Sequence, residues 1–254
     1  MSRYPEPMVP PGGIAPVPRR LRGQLGDNWL FDTERAFYVW EFPPYPQYYI
    51  PFDDVDSSLL VDEQTTEKTA FGTAAHWGLR AGGITRPGVA RIHLDDAPEQ
   101  LRQTVRFDWA ALDAWFEEDE QVFVHPRNPY SRVDAVRSNR PIRVELDGVV
   151  LAEAPCSVMV FETGLPPRYY LDRTAIRLEH HQESDSVSSC PYKGRTSQYW
   201  SVRVGAVTHH DVAWSYDFPT RQLLPIAGLV AYYNEKVDIW LDGRKLERPR
   251  THFS

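Results

Sequence analysis

Cysteine is scarce in this 254-residue chain, with Cys156 and Cys190 the only two. They cannot form the multi-bridge framework of a small secreted domain, and they lack the CxxC spacing of a zinc pair. Two free thiols in a cytoplasmic protein are the expectation, with no metal site. Long apolar runs are missing too: none approaches the ~20 residues a bilayer span requires. The opening stretch MSRYPEPMVPPGGIAPVPRR has prolines where a signal peptide has its apolar core. Positive charge is in deficit, 28 Lys and Arg facing 35 Asp and Glu for a formal net charge of −7. That balance opposes phosphate backbones and removes the electrostatic term behind non-specific nucleic-acid binding. There is no GxSxG elbow, no phosphate-binding glycine loop and no dinucleotide fingerprint. The expected partner is therefore neither a nucleic acid nor a membrane, and no cofactor is indicated.

Aromatic residues, by contrast, are plentiful: 8 Trp, 13 Tyr and 11 Phe. So many flat, partly polar rings are hard to bury completely, which points to a surface groove lined by some of them. Residues 1–18, rich in Pro and Gly and without periodicity, read as a mobile tail. Beyond them the chain repeats. Residues 22–55 laid over 143–176 without a gap, an offset of 121 (143 − 22), place Leu25 on Leu146, Val39 on Val160 and Glu41 on Glu162. The same register places Pro46 on Pro167, Tyr48 and Tyr49 on Tyr169 and Tyr170, and Val55 on Ile176. Acid, proline and tyrosine pair at matched spacing indicate an internal duplication rather than shared β propensity. The expected domains are 19–138 and 139–254, with residues 125–139 as a linker lying along a domain surface.

The second copy reads mostly as strands. Ile142, Val144 and Leu146 alternate with charged residues, and Asp147-Gly148 supplies the positive φ angles of a tight hairpin turn. Further strands are expected at 149–151, 158–162, 168–171, 176–178, 199–204, 206–208 and 237–241. Ile226, Leu229, Val230 and Tyr233 fall at helical spacing with Pro225 in the first turn, predicting an amphipathic helix. In the first copy, Asp108 as N-cap and Trp109, Leu112 and Phe116 on one face predict its counterpart.

The sharpest local signal is Cys190-Pro191-Tyr192-Lys193-Gly194. Pro191 and Gly194 favour a turn, and an ammonium three residues from a thiol gives that thiol a reason to ionise. Cys190 is accordingly expected to be the more reactive cysteine, at a pocket mouth, with Lys193 beside it. The bland alternative is a packed turn cysteine, free cysteine being among the more buried residue types. Asp185 and Glu183 on the approach are candidates to take a proton or hold a cationic group. Tyr192, Tyr199, Trp200, Trp214 and Tyr216 are candidate pocket walls, or an ordinary aromatic core. The histidine pairs 180–181 and 209–210 read as surface residues, since neighbours on a strand face opposite ways. The matching region of the first copy, residues 66–72, has no cysteine.

The motif at 190–194, the pairs Tyr199-Trp200 and Val237-Asp238, the segment 213–216 and the phrase at 124–134 resemble the domain-of-unknown-function family 427, in two tandem copies. That resemblance implies a mainly β fold: two tandem β-tent-like domains of antiparallel strands, here with one principal α-helix each. The wider fold group uses paired CxxC zinc sites or aromatic ligand pockets, and this chain has no CxxC pair. No Gly-Ser motif with paired metal-binding aspartates supports the nucleotidyltransferase-like label sometimes given to the family. The expected function is small-molecule binding or an enzymatic reaction, with Cys190 as nucleophile and Lys193 holding an anionic group or oxyanion. The rival is a non-catalytic interaction module using exposed aromatics.

Overall fold

The structure is a computed structural model and describes residues 9–251 and 253–254. It divides into two compact units, one ending at Tyr130 and the other beginning at Ser131. In the first unit the strands are β1 (Ile14–Pro16), β2 (Leu21–Leu25), β3 (Asn28–Thr33), β4 (Phe37–Val39), β5 (Gln47–Pro51) and β6 (Leu60–Thr69). They continue with β7 (Gly72–Ala81), β8 (Ile84–His93), β9 (Thr104–Phe107), β10 (Ala114–Glu117) and β11 (Glu120–Val122). The second unit has β12 (Val133–Ser138), β13 (Ile142–Leu146), β14 (Val149–Ala154), β15 (Ser157–Glu162), β16 (Arg168–Leu171) and β17 (His181–Ser184). It continues with β18 (Ser189–Cys190), β19 (Gly194–Arg195), β20 (Gln198–Val204), β21 (Val207–Ser215), β22 (Val230–Tyr232), β23 (Asp238–Leu241) and β24 (Arg244–Lys245).

The duplication read from the sequence is present strand for strand in the two larger sheets of each unit, and the small β18–β19 sheet is added in the second. A seven-stranded sheet ordered β1-β4-β5-β9-β8-β7-β6 in the first unit corresponds to β12-β15-β16-β22-β21-β20-β17 in the second. A four-stranded sheet, β11-β10-β2-β3, corresponds to β24-β23-β13-β14. All the named pairings are antiparallel, and even irregularities recur: a register shift at Gly23/Gln24 reappears at Val144/Glu145. The Asp147-Gly148 turn has φ of 49° and 81°, the left-handed geometry that a two-residue hairpin of the right twist needs. The core of each unit joins the inner faces of both sheets. In the second unit Ile142, Val144, Leu151 and Ile239 meet Met159, Leu171, Trp200, Val202 and Tyr232.

Several expectations give way. Neither amphipathic helix forms, and the helical elements of the described residues are short 3-10 turns. Residues 221–226 make one such turn with Pro225 inside it, Gly228 follows at φ 72°, and Val230–Tyr232 then enters the sheet between β16 and β21. There the alternation of a strand decides: Val230 and Tyr232 join the inner core and Ala231 the opposite face. In the first unit the turn at Trp109–Ala111 has no side-chain cap from Asp108, whose carboxylate is held by Arg91 and Arg106. β10 follows and buries Trp115. The expected strand at 176–178 reduces to one bridge, Ala152 with Ile176, and a 3-10 turn.

The linker reading is also corrected at its C-terminal end. Residues 133–138 form β12 and pair with β15, as β1 pairs with β4, so the second repeat begins before residue 139. Of the expected tail, residues 1–8 lie outside the described residues, whereas 14–16 form β1. Among the described residues no helix is long and apolar enough to cross a membrane.

Two imidazoles in the first unit, His93 buried and His125 half-buried, are expected to make its stability sensitive to acid. His93 is 1% exposed, and its ring lies near Tyr49, Glu41, Arg91 and Arg106. His125 stacks on Tyr45 with centroids 3.6 Å apart. Burial pushes both below the ordinary imidazole value, outweighing for His125 its hydrogen bond with the Pro126 carbonyl. A group depressed in the folded state binds its proton more readily when unfolded, so the stability it lends is intact above the unfolded value and is lost on acidification. Urea unfolding followed from about pH 7.5 down to about pH 5.5 should show a falling midpoint, beginning near the unperturbed histidine value of about 6.5. A flat midpoint across that window would contradict the assignment.

Candidate ligand site of the second unit

The seven-stranded sheet of the second unit has an outer face as well as the inner one. On it Val158, Val160, Tyr170, Tyr199, Trp214 and Tyr216 form a second apolar cluster. This face is covered by loops, and the Cys-Pro-Tyr-Lys-Gly motif is one of them. Cys190 pairs with Gly194 and Ser189 with Arg195 in the small β18–β19 hairpin. Gly194 sits at φ 94°, a conformation that L side chains rarely adopt. The hairpin is pinned to the next loop: Thr220 donates its hydroxyl to the Tyr192 carbonyl and its N–H to the Lys193 carbonyl, the latter at 3.1 Å.

This turn drives Lys193 inward. The residue is 8% exposed, and its ammonium is paired with Glu162 at the end of β15. Burial works against the charge, but Cys190, Glu162 and Tyr170 outweigh it and hold the ammonium protonated well above the usual lysine range. Tyr170, fully enclosed, has its hydroxyl pushed up to about 12 by burial, against the pull of Lys193. Cys190 is half-buried and close enough to act electrostatically on Lys193, Tyr170 and Tyr216, whereas Cys156 is exposed.

The sequence-predicted residues therefore separate. Tyr199, Trp214 and Tyr216 share the outer face with Lys193. Trp200, next to Tyr199 on β20, points the other way into the inner core, as strand alternation requires. Tyr192 is half-buried in the hairpin turn, and Asp185 is exposed.

Beside the aromatic face lies an open groove of about 320 Å³, lined by Ser186, Ser188, Tyr199, Asp211, Tyr233 and Lys236, with Val187 and Phe253. Its polar groups are fixed by one another. Ser188 Oγ lies 2.7 Å from the Tyr199 hydroxyl, which lies 3.1 Å from that of Tyr233. Tyr233 packs on Trp214 with ring centroids 4.4 Å apart. Arg168, buried in a two-point pair with Glu235 at 2.6 and 2.8 Å, spans the rings of Trp214, Tyr233 and Phe253. Lys236 donates to the carbonyls of His210 and Asp211, both at 3.2 Å, and lies over Tyr233.

Asp211 was not a sequence candidate. It sits in a bulge of β21, where Trp200 pairs with Ala213 but Val202 with His209. Its φ is 50°, and its carboxylate accepts hydrogen bonds from Ser184 and Ser186, both at 2.7 Å. Burial disfavours the carboxylate, yet these hydroxyls and Lys236 prevail and hold its pKa below the ordinary value. The signal was available from the repeat. In β7 and β8 the offset becomes 123 (200 − 77), because Trp77 pairs with Ala90 as Trp200 does with Ala213. The partner of Asp211 is then Gly88, at φ 65°. The same offset replaces Tyr199, Trp214 and Tyr216 by His76, Arg91 and His93. Glu41, matching Glu162, is bound there by Arg106 and the Tyr49 hydroxyl instead of a lysine.

A family model described as Domain of unknown function (DUF427) matches residues 13–118 and again residues 134–243. The chain belongs to this family. It carries the DUF427 domain twice, and the matched regions begin at the strands β1 and β12 that open each repeat. No curated protein matches the chain.

Removing one member of the buried pair leaves the other charge without compensation. Lys193→Met should lower unfolding free energy by about 3–5 kcal/mol, and Lys193→Met with Glu162→Gln should restore most of it. Equal losses in the single and double variants, measured by urea unfolding, would show that the pair is not the source of the effect.

Proposed function

We propose that the second DUF427 domain binds a small, partly aromatic and hydroxyl-bearing organic molecule in the groove beside Tyr199 and Tyr233. The carrying observation is the pre-set polar network at Asp211, Ser186, Ser188, Tyr199 and Tyr233 around an open volume of ligand size. Hydroxyls either donate or accept, so the network suits a neutral ligand with both kinds of group. Asp211 adds to the reading. A non-glycine residue in the left-handed region is strained by of order 1–3 kcal/mol, although aspartate tolerates it better than most. The first unit uses glycine at the same point, and an aspartate retained there has its carboxylate as its advantage.

In a catalytic version of this reading Cys190 is the nucleophile and Lys193 holds an anionic group. The pairing of Lys193 with Glu162 favours binding over that version, because the ammonium already has its counter-charge. An interaction module has one observation in its favour: Phe218 is 90% exposed on the loop after β21. Within the same proposal the paired sheets of each unit are read as a β-tent.

Native mass spectrometry of the purified protein should detect a co-purified small molecule. Asp211→Gly keeps a residue suited to φ 50° and should change unfolding free energy by only about 1 kcal/mol while weakening retention about tenfold or more. Undiminished ligand retention in the Asp211→Gly protein, or adduct-free spectra of the wild type, would count against the groove.

A further inference from the structure

A separate recess, of about 110 Å³, lies at the inner face of the large sheet, where Trp200 forms its floor with Ile176 and Val230. Its polar wall is Arg173, His181, Glu183 and Gln198. The first unit keeps a carboxylate here, Asp62 standing across from Trp77 as Glu183 does from Trp200, but the other polar positions are apolar. Phe52, Leu60 and Ala75 occupy the positions of Arg173, His181 and Gln198, and Phe52 packs against Trp77 with ring centroids 6.4 Å apart. In the second unit the three apolar positions have become Arg173, His181 and Gln198, and they line a hollow beside the shared carboxylate position.

Most of the polar groups in the wall are already engaged. The Arg173 guanidinium lies 5.6 Å from the Trp200 ring centre and donates to the Gly228 carbonyl, the Ser215 hydroxyl and Asp217 at 2.9, 3.1 and 2.9 Å. His181 has Nδ1 at 2.9 Å from the Arg177 carbonyl and Nε2 at 2.9 Å from the Tyr232 hydroxyl. Gln198 differs. Its amide nitrogen donates to Glu183 Oε1 at 3.3 Å, and since a carboxylate only accepts, the amide cannot be turned round. The amide oxygen is therefore fixed on the other side, and it is buried without a hydrogen-bond partner. Glu183 stands directly across from Trp200 in the β17–β20 ladder, and no ion pair involves it among the described residues. With Arg173 balanced by Asp217, the recess is left with one carboxylate and one carbonyl oxygen, both acceptors, and an excess of negative charge.

We propose that this recess binds a compact organic cation carrying two or more N–H donors, of the amidinium or guanidinium class. One donor meets Gln198 Oε1 and another meets Glu183, while Trp200, Ile176 and Val230 cover the apolar side. The site is independent of the groove at Asp211, and of whether that groove holds a ligand.

Methylguanidinium chloride is the probe, titrated into ¹⁵N-labelled full-length protein while the Trp200 indole signal is followed. Tetramethylammonium, with the same charge and no N–H, is the control. Saturable shifts with methylguanidinium in the millimolar range and none with tetramethylammonium are the expected result. Gln198→Leu and Glu183→Gln should each weaken binding about tenfold. Glu183 is exposed, so Glu183→Gln keeps the test decisive if Gln198→Leu fails to fold. Absence of saturation, equal binding of tetramethylammonium, or an unchanged affinity in Glu183→Gln overturns the proposal.

Discussion

A seven-stranded sheet has two faces, and in each unit the four-stranded sheet covers only one of them. The rest of the architecture follows from this imbalance. An apolar outer face cannot be left to water at the scale of Tyr170, Trp214 and Tyr216, so loops must cover it. Loops bring backbone polar groups with them, and those groups need partners. In the second unit the partners are the Thr220 contacts to the β18–β19 hairpin and the Lys193–Glu162 pair beneath it. The motif at 190–194 is first of all a lid on a sheet, and its lysine is the ion that fastens it.

The two repeats solve the same covering problem with different chemistry. In the first, Leu101 and Ala97 lie over Val39 and Tyr49, and charges fill the remainder: Arg91 with Glu67 and Asp108, Arg106 with Glu41 and Asp108. In the second, rings take those places and the charges shrink to two buried pairs, Lys193–Glu162 and Arg168–Glu235. Ion-pair networks close a surface from all sides, whereas tilted rings leave clefts between them. The groove beside Tyr233 is such a cleft.

What the sequence revealed depended on whether the determining contact was local. The offset of 121, the Asp147-Gly148 turn and the alternation in β13 are local signals, and each matches the structure. The apolar spacing of Ile226, Leu229, Val230 and Tyr233 is local as well, but it was misleading. An unfilled position between β16 and β21 overrode helical periodicity, and Gly228 at a left-handed angle sealed the outcome. Trp200 could have been separated from Tyr199 by alternation alone, since both fall in the expected strand at 199–204 and neighbours on a strand face opposite ways. Asp211 was out of reach from one copy: its side chain turns toward the groove because of a bulge, and bulges are set by the neighbouring strand.

Two sheets of identical strand order in one chain also carry a hazard during folding. Each strand has a homologous seat in the other unit, and tandem repeats misassemble when a strand takes the wrong seat. The edge strands differ most. β1 pairs over three residues and ends in Pro16, which lacks an N–H, whereas β12 pairs over six. β1 in the seat of β12 would forfeit half the ladder. The unequal edges thus weigh against an exchange of β1 and β12 between the two sheets.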